Sequence, residues 1–365
     1  MTQKEKSLFK NLCSFKNEGF DITLIEAATP QVLGHLFFNR MQAIAYGKLE
    51  SAGVLAKVNR EFRNSLKDAY DANVEKNDSY FRCVHYVDDI LSQCKGKYAM
   101  LKGALLCRLY PKGYRTSNDI DILVLPQDVT EIGEILIKNG FVQGNVRGGC
   151  FKPATRREII ESKMMRGETV PYVKEINLPR MKYLEIDINF SLDYKTGDID
   201  AVSRMIEKSE TREIEGLRIQ TLNKEDFFLH LCCHLYKEAT TLPWVEMNRD
   251  MTLYKYCDIY MLMNGADENE TKALFAKAES MGMDKICSFA IMQMAELFLL
   301  DNLCARQLAE QKLKNAPEFI HKVISPKDKK EFVYLEKDIS ERLFSENRKK
   351  LLQEVKENGT IKNEK

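Results

Sequence analysis

Two aspartates at alternating positions give the clearest indication of a chemical function in this sequence. Asp119 and Asp121 belong to the segment Asp-Ile-Asp-Ile-Leu-Val, residues 119–124. In an extended strand the two carboxylates share one face about 7 Å apart, while Ile120 and Ile122 point into a core. The carboxylates repel each other, and a divalent cation such as Mg²⁺, which prefers hard oxygen ligands, relieves that repulsion. An exposed strand end with two solvated acids is the alternative for this motif taken alone.

The sequence just upstream favours the metal site. A short apolar run, residues 97–101, ends at Lys102-Gly103 and leads into a helical pattern over residues 104–110. Glycine at a strand-to-helix turn lets backbone N–H groups approach phosphate oxygens, and the N-terminus of a helix favours anions. Lys102 and Arg115 add positive charge nearby. Phosphates beside a carboxylate-held metal are the arrangement that phosphoryl and nucleotidyl transfer require.

This stretch resembles the nucleotidyltransferase superfamily, which has the DNA polymerase β-like fold. In particular it resembles a branch of uncharacterised bacterial nucleotidyltransferases whose motif runs Lys-Gly, a helix, Tyr-Pro, Arg and Asp-Ile-Asp. The matching residues are Lys102-Gly103, Tyr110-Pro111, Arg115 and Asp119-Ile120-Asp121.

The resemblance, specific over residues 101–141, implies a role for each matching residue. Asp119 and Asp121 would be catalytic residues that hold Mg²⁺ or Mn²⁺. Lys102, Gly103 and Arg115 would bind the triphosphate of an NTP substrate. The superfamily usually has Ser after the glycine and this chain has Ala104, so Lys102 or Arg115 would have to replace the contact of that hydroxyl.

A second alternating segment covers residues 183–190. Glu185, Asp187 and Asn189 share one face of this predicted strand, and apolar residues occupy the other. Taken alone, the pattern is also typical of a half-buried edge strand. The resembled superfamily places a third carboxylate on a neighbouring strand, which implies that Asp187 is the third catalytic and metal-binding residue. Asn189 stands where the branch often has His.

The resemblance implies metal-dependent transfer of a nucleoside monophosphate from an NTP to an acceptor, with release of pyrophosphate. Asp187 would act as the base for the acceptor, or orient that base. Whether the acceptor is a small molecule, a protein or a tRNA cannot be read from the sequence, nor can the nucleobase or the oligomeric state. Two alternatives are a phosphotransferase that uses the same carboxylates and a non-catalytic nucleotide-binding or protein-interaction module, which Ala104 favours.

The pattern of elements predicts an α+β fold, with a small mixed nucleotidyltransferase sheet flanked by N- and C-terminal helical lobes. The predicted division is an N-terminal helical lobe (1–95), the α/β core (96–222), a C-terminal helical lobe (223–357) and a disordered tail (358–365). Local patterns predict one helix over residues 31–56, two helices separated at residues 77–79, and one or two exposed helices from residue 327 onward.

Composition limits the partners and the compartment. Fifty-five Lys and Arg residues against 54 Asp and Glu residues give a net charge of +1, so binding of duplex nucleic acid is not expected. No apolar stretch is long enough to span a membrane, and ten scattered cysteines fit a reducing cytoplasm. His230 and His234 have metal-ligand spacing, but no third ligand is obvious, and their role and that of Asp258 stay open.

Overall fold

The computed structural model describes residues 1–15, 20–192, 199–214, 216–297 and 300–355. The α-helices are α1 (Gln3–Cys13), α2 (Pro30–Phe38), α3 (Gln42–Ser51), α4 (Arg60–Leu91), α5 (Gly103–Leu109), α6 (Val129–Lys138), α7 (Arg156–Arg166), α8 (Ile199–Glu207), α9 (Lys224–Ala239), α10 (Leu242–Glu246), α11 (Leu253–Met263), α12 (Glu268–Ser280), α13 (Asp284–Glu296), α14 (Leu303–Leu313) and α15 (Ile339–Leu343). The strands are β1 (Tyr98–Met100), β2 (Asp119–Val124), β3 (Val142–Arg147), β4 (Cys150–Pro153), β5 (Tyr172–Leu178), β6 (Met181–Asn189), β7 (Glu210–Ile214), β8 (Leu217–Thr221), β9 (Lys322–Ile324), β10 (Glu331–Tyr334) and β11 (Leu352–Glu354).

The chain divides into two compact units. The sheet unit is Lys67–His230, and the helical unit combines Met1–Leu66 with Leu231–Lys365. Helices α4 and α9 each begin in one unit and end in the other. The division into three lobes and a tail stays a prediction, and residues 358–365 lie outside the described residues.

The sheet unit is built on an eight-stranded mixed sheet with the order β4-β3-β5-β6-β2-β1-β8-β7. Strand β2 pairs parallel to β6, and β1 pairs parallel to β8. The other neighbouring pairs are antiparallel. The predicted α+β class with a mixed sheet is therefore confirmed.

One face of this sheet packs against helix α4. The β-branched residues Ile120, Ile122 and Val124 alternate along β2, as a pleated strand requires, and all three are fully buried. They share a core with Tyr80 and Val84 of α4, which lie four residues apart on one side of that helix. The alternation therefore places Asp119 and Asp121 on the opposite face of β2, together with the buried Leu123.

The predicted break at residues 77–79 is wrong, because α4 is continuous through them. Asn77 and Ser79 are both buried, and the Ser79 hydroxyl donates to the carbonyl oxygen of Pro179 at 2.7 Å. A local Asn-Asp-Ser sequence favours a turn. Here the serine hydroxyl instead forms its hydrogen bond with a residue one hundred positions away while the backbone stays helical.

The predicted single helix over residues 31–56 is divided into α2 and α3. Asn39 ends α2: its side-chain amide donates to the carbonyl oxygen of His35, and its Oδ1 accepts from the backbone N–H of Leu253 at 3.1 Å. Arg40 then takes a left-handed conformation with φ 56°. The Leu253 contact is long-range, so local helical spacing does not reveal it.

The predicted helices from residue 327 onward are also wrong, apart from the short α15. Strands β9, β10 and β11 form an antiparallel sheet in the order β11-β10-β9. Arg348 is buried beside this sheet, with Nε 2.8 Å from Asp250 Oδ1. In the sequence Arg348 looks like part of an exposed helix face, but in the structure it is internal. Its partner, Asp250, lies far away along the chain, so the local sequence does not reveal the pair.

Within the described part of the chain, none of the helices combines the length and the apolar character needed to cross a membrane. The ten cysteines are free thiols.

Candidate active site

The two alternating strands lie side by side with their acidic faces aligned. In the parallel pair of β2 and β6, Asp121 lies opposite Asp187 and Asp119 lies opposite Glu185. Facing residues of neighbouring strands put their side chains on the same side of the sheet, with backbones about 4.8 Å apart. The structure therefore brings Asp119, Asp121 and Asp187 together, and it adds Glu185 at the edge of the same group.

The Lys102-Gly103 turn is held against the same strand. The backbone N–H of Leu101 donates to the carbonyl oxygen of Asp121 at 2.8 Å. The carbonyl oxygen of Lys102 then accepts from the N–H of Leu106 at 2.7 Å in the first turn of α5. A ladder hydrogen bond and a helix start thus fix the turn relative to the aspartates, as the predicted strand-glycine-helix pattern requires.

Gly103 is needed in this turn because no room exists for a side chain. A Cβ atom on Gly103 would lie 2.6 Å from the Ser117 Cβ, 2.6 Å from the Tyr80 hydroxyl and 2.8 Å from the Ser117 Oγ. Glycine therefore permits α5 to begin in direct contact with the segment that precedes β2.

The Lys102 ammonium pairs with one of the predicted metal ligands. Its Nζ lies 2.7 Å from Asp121 Oδ1, and the side chain of Asp121 is only 5% exposed. The Asn189 side-chain amide lies 3.5 Å from the same Oδ1 atom. Lys102, which we predicted to bind phosphate, therefore faces the carboxylates in this structure.

Burial and neighbouring charges shift the pKa values of the three aspartates differently. Burial raises the pKa of Asp187 well above its usual range, and the carboxylates of Asp121 and Asp119 raise it further. Burial also raises the pKa of Asp121, although Lys102 opposes this. For Asp119, burial alone would raise the pKa, but Lys102, the Ser117 hydroxyl and Arg115 together lower it. Asp187 is thus the carboxylate that holds a proton most readily.

The remaining predicted residue, Arg115, is buried close to Asp119. Its guanidinium donates to the carbonyl oxygen of Thr116 and contributes to the lowered pKa of the Asp119 carboxyl. The structure therefore gathers every predicted site residue around the start of β2 and the end of β6.

Three neighbouring residues were missed by the sequence analysis. The Ser117 hydroxyl donates to Asp119 Oδ1 at 2.7 Å, and the Tyr80 hydroxyl donates to the carbonyl oxygen of Asp119 at 3.1 Å. Glu168 pairs in a β-bridge with Asn189, and its charge raises the pKa of Asp187. Ser117 could have been suspected from its position two residues before Asp119, whereas no local signal connects Tyr80 or Glu168 to the site.

The donor set suits a divalent cation in its chemistry. Asp119, Asp121 and Asp187 offer hard carboxylate oxygens, and the carboxylates already attract one cation, the Lys102 ammonium. In the described residues, however, no group of three or more His, Cys, Asp and Glu side chains converges as a ligand set. The three aspartates could therefore hold Mg²⁺ or Mn²⁺ only if their side chains, and that of Lys102, move.

The histidines of helix α9 form no metal site within the described residues. His230 is buried, with its ring 6.5 Å from that of Phe227, and His234 Nε2 lies 3.5 Å from Glu238 Oε1. Asp258 is buried in α11. Their packing is evident, and their roles stay open.

Comparison with known proteins gives the family. One matching solved structure is that of an antigenic nucleotidyltransferase-like protein from Paracoccidioides brasiliensis. The match covers 56% of this chain and 90% of that one, with 14% sequence identity and a TM-score of 0.32. No curated protein matches the chain. A family model described as "Uncharacterised nucleotidyltransferase" matches residues 30–299, which is well over half of the chain. The resemblance to the nucleotidyltransferase superfamily is therefore confirmed, and this chain belongs to the family of uncharacterised nucleotidyltransferases.

Proposed function

We propose that this protein transfers a nucleoside monophosphate from an NTP to an acceptor and releases pyrophosphate, with Mg²⁺ or Mn²⁺ held by Asp119, Asp121 and Asp187. The observation that carries the proposal is the register of β2 and β6, which places Asp121 opposite Asp187 with Asp119 on the same face. The Lys102 ammonium pairs with Asp121, and three carboxylates on one partly buried face still repel one another, which is costly. A metal-phosphate site gives them a function.

The chain's own groups have distinct tasks in this reaction. Asp119, Asp121 and Asp187 would hold a divalent cation, which would supply Lewis-acid stabilisation of the charge that develops on the phosphates. Gly103 lets the backbone at the start of α5 approach the triphosphate, and Lys102 and Arg115 contribute positive charge. The Ser117 hydroxyl, next to Gly103, is a candidate for the contact that Ala104 lacks.

The bond changes are those of an in-line displacement. An acceptor oxygen or nitrogen forms a bond to the α-phosphorus, and the bond from that phosphorus to the α,β-bridging oxygen breaks, so that pyrophosphate leaves. The acceptor proton passes to Asp187, directly or through a base that Asp187 orients. Asp187 suits this task by its position, because the register of β2 and β6 places it opposite Asp121, beside the site where the reaction would occur.

A reducing, cytoplasmic compartment is part of the proposal, because the ten cysteines are free thiols. A small molecule, a protein side chain and a tRNA end are all acceptors compatible with this site.

Product identity tests the proposed reaction. The full chain is incubated with each α-labelled NTP in turn, with Mg²⁺ or Mn²⁺ and fractions of a cell extract. Label in an acceptor, together with pyrophosphate release, supports nucleotidyl transfer. Release of labelled nucleoside diphosphate with no α-label in any acceptor would instead indicate phosphotransfer by the same carboxylates, and the proposal would fail. The Asp121→Asn variant is the control for contaminating enzymes.

A further inference from the structure

Lys102 has a backbone conformation that its residue type disfavours. Its φ is 43°, in the left-handed region where glycine is the usual residue. The next residue is Gly103. In this turn the positive φ therefore falls on the lysine and not on the neighbouring glycine. Strained backbone of this kind persists where the surrounding structure enforces it, and it is concentrated at functional sites.

The strained backbone directs an ammonium group into the carboxylate cluster. Lys102 Nζ lies 2.7 Å from Asp121 Oδ1 on side chains that are 20% and 5% exposed. The charges of Asp119 and Asp187 also act on this ammonium. Lys102 therefore neutralises part of the cluster in the metal-free protein, at the carboxylate of Asp121.

A divalent cation needs the same Asp121 oxygens. In the described part of the chain the three aspartates do not converge as a ligand set, and Lys102 lies at hydrogen-bond distance from one of them. An ammonium at hydrogen-bond distance and a metal ion cannot occupy the same position beside Oδ1, since like charges at contact distance repel strongly in a buried site.

We propose that Lys102 is an exchangeable internal cation, which rests on the function proposed above. In the metal-free protein its ammonium pairs with Asp121, and it leaves that carboxylate when a divalent cation binds. The released ammonium then contacts the phosphates of the nucleotide. One side chain thus keeps the empty site folded and disfavours a metal without nucleotide.

The proposal predicts effects of opposite sign for a neutral substitution of nearly the same length. Lys102→Met removes the competing charge, so Mn²⁺ alone should bind about tenfold to a hundredfold more tightly, because metal binding no longer has to break a partly buried ion pair. The same variant should bind a non-hydrolysable NTP analogue at saturating Mn²⁺ about tenfold more weakly, because the phosphates lose a cation. A purely structural lysine would lower both affinities.

The experiment uses the full chain and Mn²⁺ as the probe. Electron paramagnetic resonance measures free Mn²⁺ during titration of the wild type, Lys102→Met and Lys102→Arg, and calorimetry measures the NTP analogue. Lys102→Arg keeps the charge and should return Mn²⁺ affinity to within about threefold of the wild type. Lys174→Met is the matched control, because Lys174 lies on β5 in the same unit and its Nζ donates to the Tyr86 hydroxyl at 2.7 Å instead. It should leave Mn²⁺ affinity unchanged.

Thermal melts keep the test decisive if Lys102→Met is unstable. Without its internal cation the variant should melt lower than the wild type in the absence of metal, and Mn²⁺ should restore it by a larger shift than in the wild type. Unchanged or weaker Mn²⁺ binding in Lys102→Met, or a variant that stays unfolded at saturating Mn²⁺, overturns the proposal.

The outcomes also separate this inference from the proposed function. Failure of Mn²⁺ to bind wild type and every variant alike would remove the metal site, and with it both proposals. Mn²⁺ binding that Asp121→Asn abolishes and Lys102→Met leaves unchanged would preserve the proposed function and remove only the exchange of Lys102.

Discussion

Replacing Gly103 with alanine should damage the candidate site through steric overlap alone. The added methyl group would lie within 3.0 Å of three atoms: the Ser117 Cβ, the Ser117 Oγ and the Tyr80 hydroxyl. The Ser117 Cβ is attached directly to buried backbone. The Tyr80 ring is fully buried, and its hydroxyl donates to the carbonyl oxygen of Asp119, so neither neighbour can yield without disturbing β2.

The expected cost follows from opposing terms. Overpacking of a close-packed interior costs about 1–3 kcal/mol, and three overlaps favour the upper end. Alanine recovers about 0.5–1 kcal/mol of backbone entropy relative to glycine in a helix. We therefore expect Gly103→Ala to lower the free energy of unfolding of the sheet unit by about 2 kcal/mol and to weaken NTP binding, since α5 must shift.

Native-state hydrogen exchange of peptides from β2 measures this loss within the sheet unit. The double variant Gly103→Ala/Ser117→Gly removes two of the three overlaps and should recover at least about 1 kcal/mol relative to the sum of the single changes. Gly34→Ala is the control, because a methyl group there meets nothing within 4 Å, and it should be neutral or stabilising. A cost below about 0.5 kcal/mol, or no recovery in the double variant, would refute the close approach of α5 to Ser117.

Three further predictions concern charge. Asp187→Asn should raise the melting temperature of the metal-free protein at neutral pH and Asp119→Asn should lower it, because folding raises the pKa of Asp187 and lowers that of Asp119; melting shifts of the same sign would contradict this. Turnover should fall about 10²–10⁴-fold in Asp187→Asn, the usual loss of a general base, and far less in Glu185→Gln, and the reverse order in an acceptor assay would assign the role to Glu185. Burial lowers the pKa of His321 to about 4, and Arg342, whose side chain lies 3.2 Å from His321 Nδ1, contributes to the shift. Acid should therefore destabilise the helical unit between about pH 6.5 and pH 4, by at most ~3 kcal/mol. The folded state resists protonation there, and a His321→Gln variant whose denaturant midpoints keep the same pH dependence would exclude His321 as the cause.

The parts of the site that the sequence predicts are those with local signals. Alternation along residues 119–124 and 183–190 predicts two strands with acidic faces, and the structure pairs them in the expected way. The Lys102-Gly103 turn follows from an apolar run that meets a helical pattern. Period-two alternation and glycine at a turn are properties of neighbouring residues, so no tertiary information is needed to read them.

The features that the sequence does not predict depend on distant partners. Helix α4 continues through residues 77–79, where the Ser79 hydroxyl donates a hydrogen bond to the carbonyl oxygen of the distant Pro179. The C-terminal sheet has strands of three or four residues, too short for alternation to be recognised, and its buried Arg348 pairs with Asp250. The pairing of Lys102 with Asp121 is equally hidden, because a lysine beside a phosphate-type turn suggests an anion ligand and not a carboxylate partner.

An NTP that carries two labels tests nucleotidyl transfer by this site in a single reaction. The full chain receives an NTP labelled on both the α- and γ-phosphates, with Mn²⁺ and an extract fraction that contains the acceptor. The proposed chemistry predicts that α-label enters the acceptor in equal amount to γ-label released as pyrophosphate, and that Asp121→Asn abolishes both. Transfer of γ-label to the acceptor, or transfer of α-label that Asp121→Asn leaves unchanged, would contradict nucleotidyl transfer by this carboxylate site.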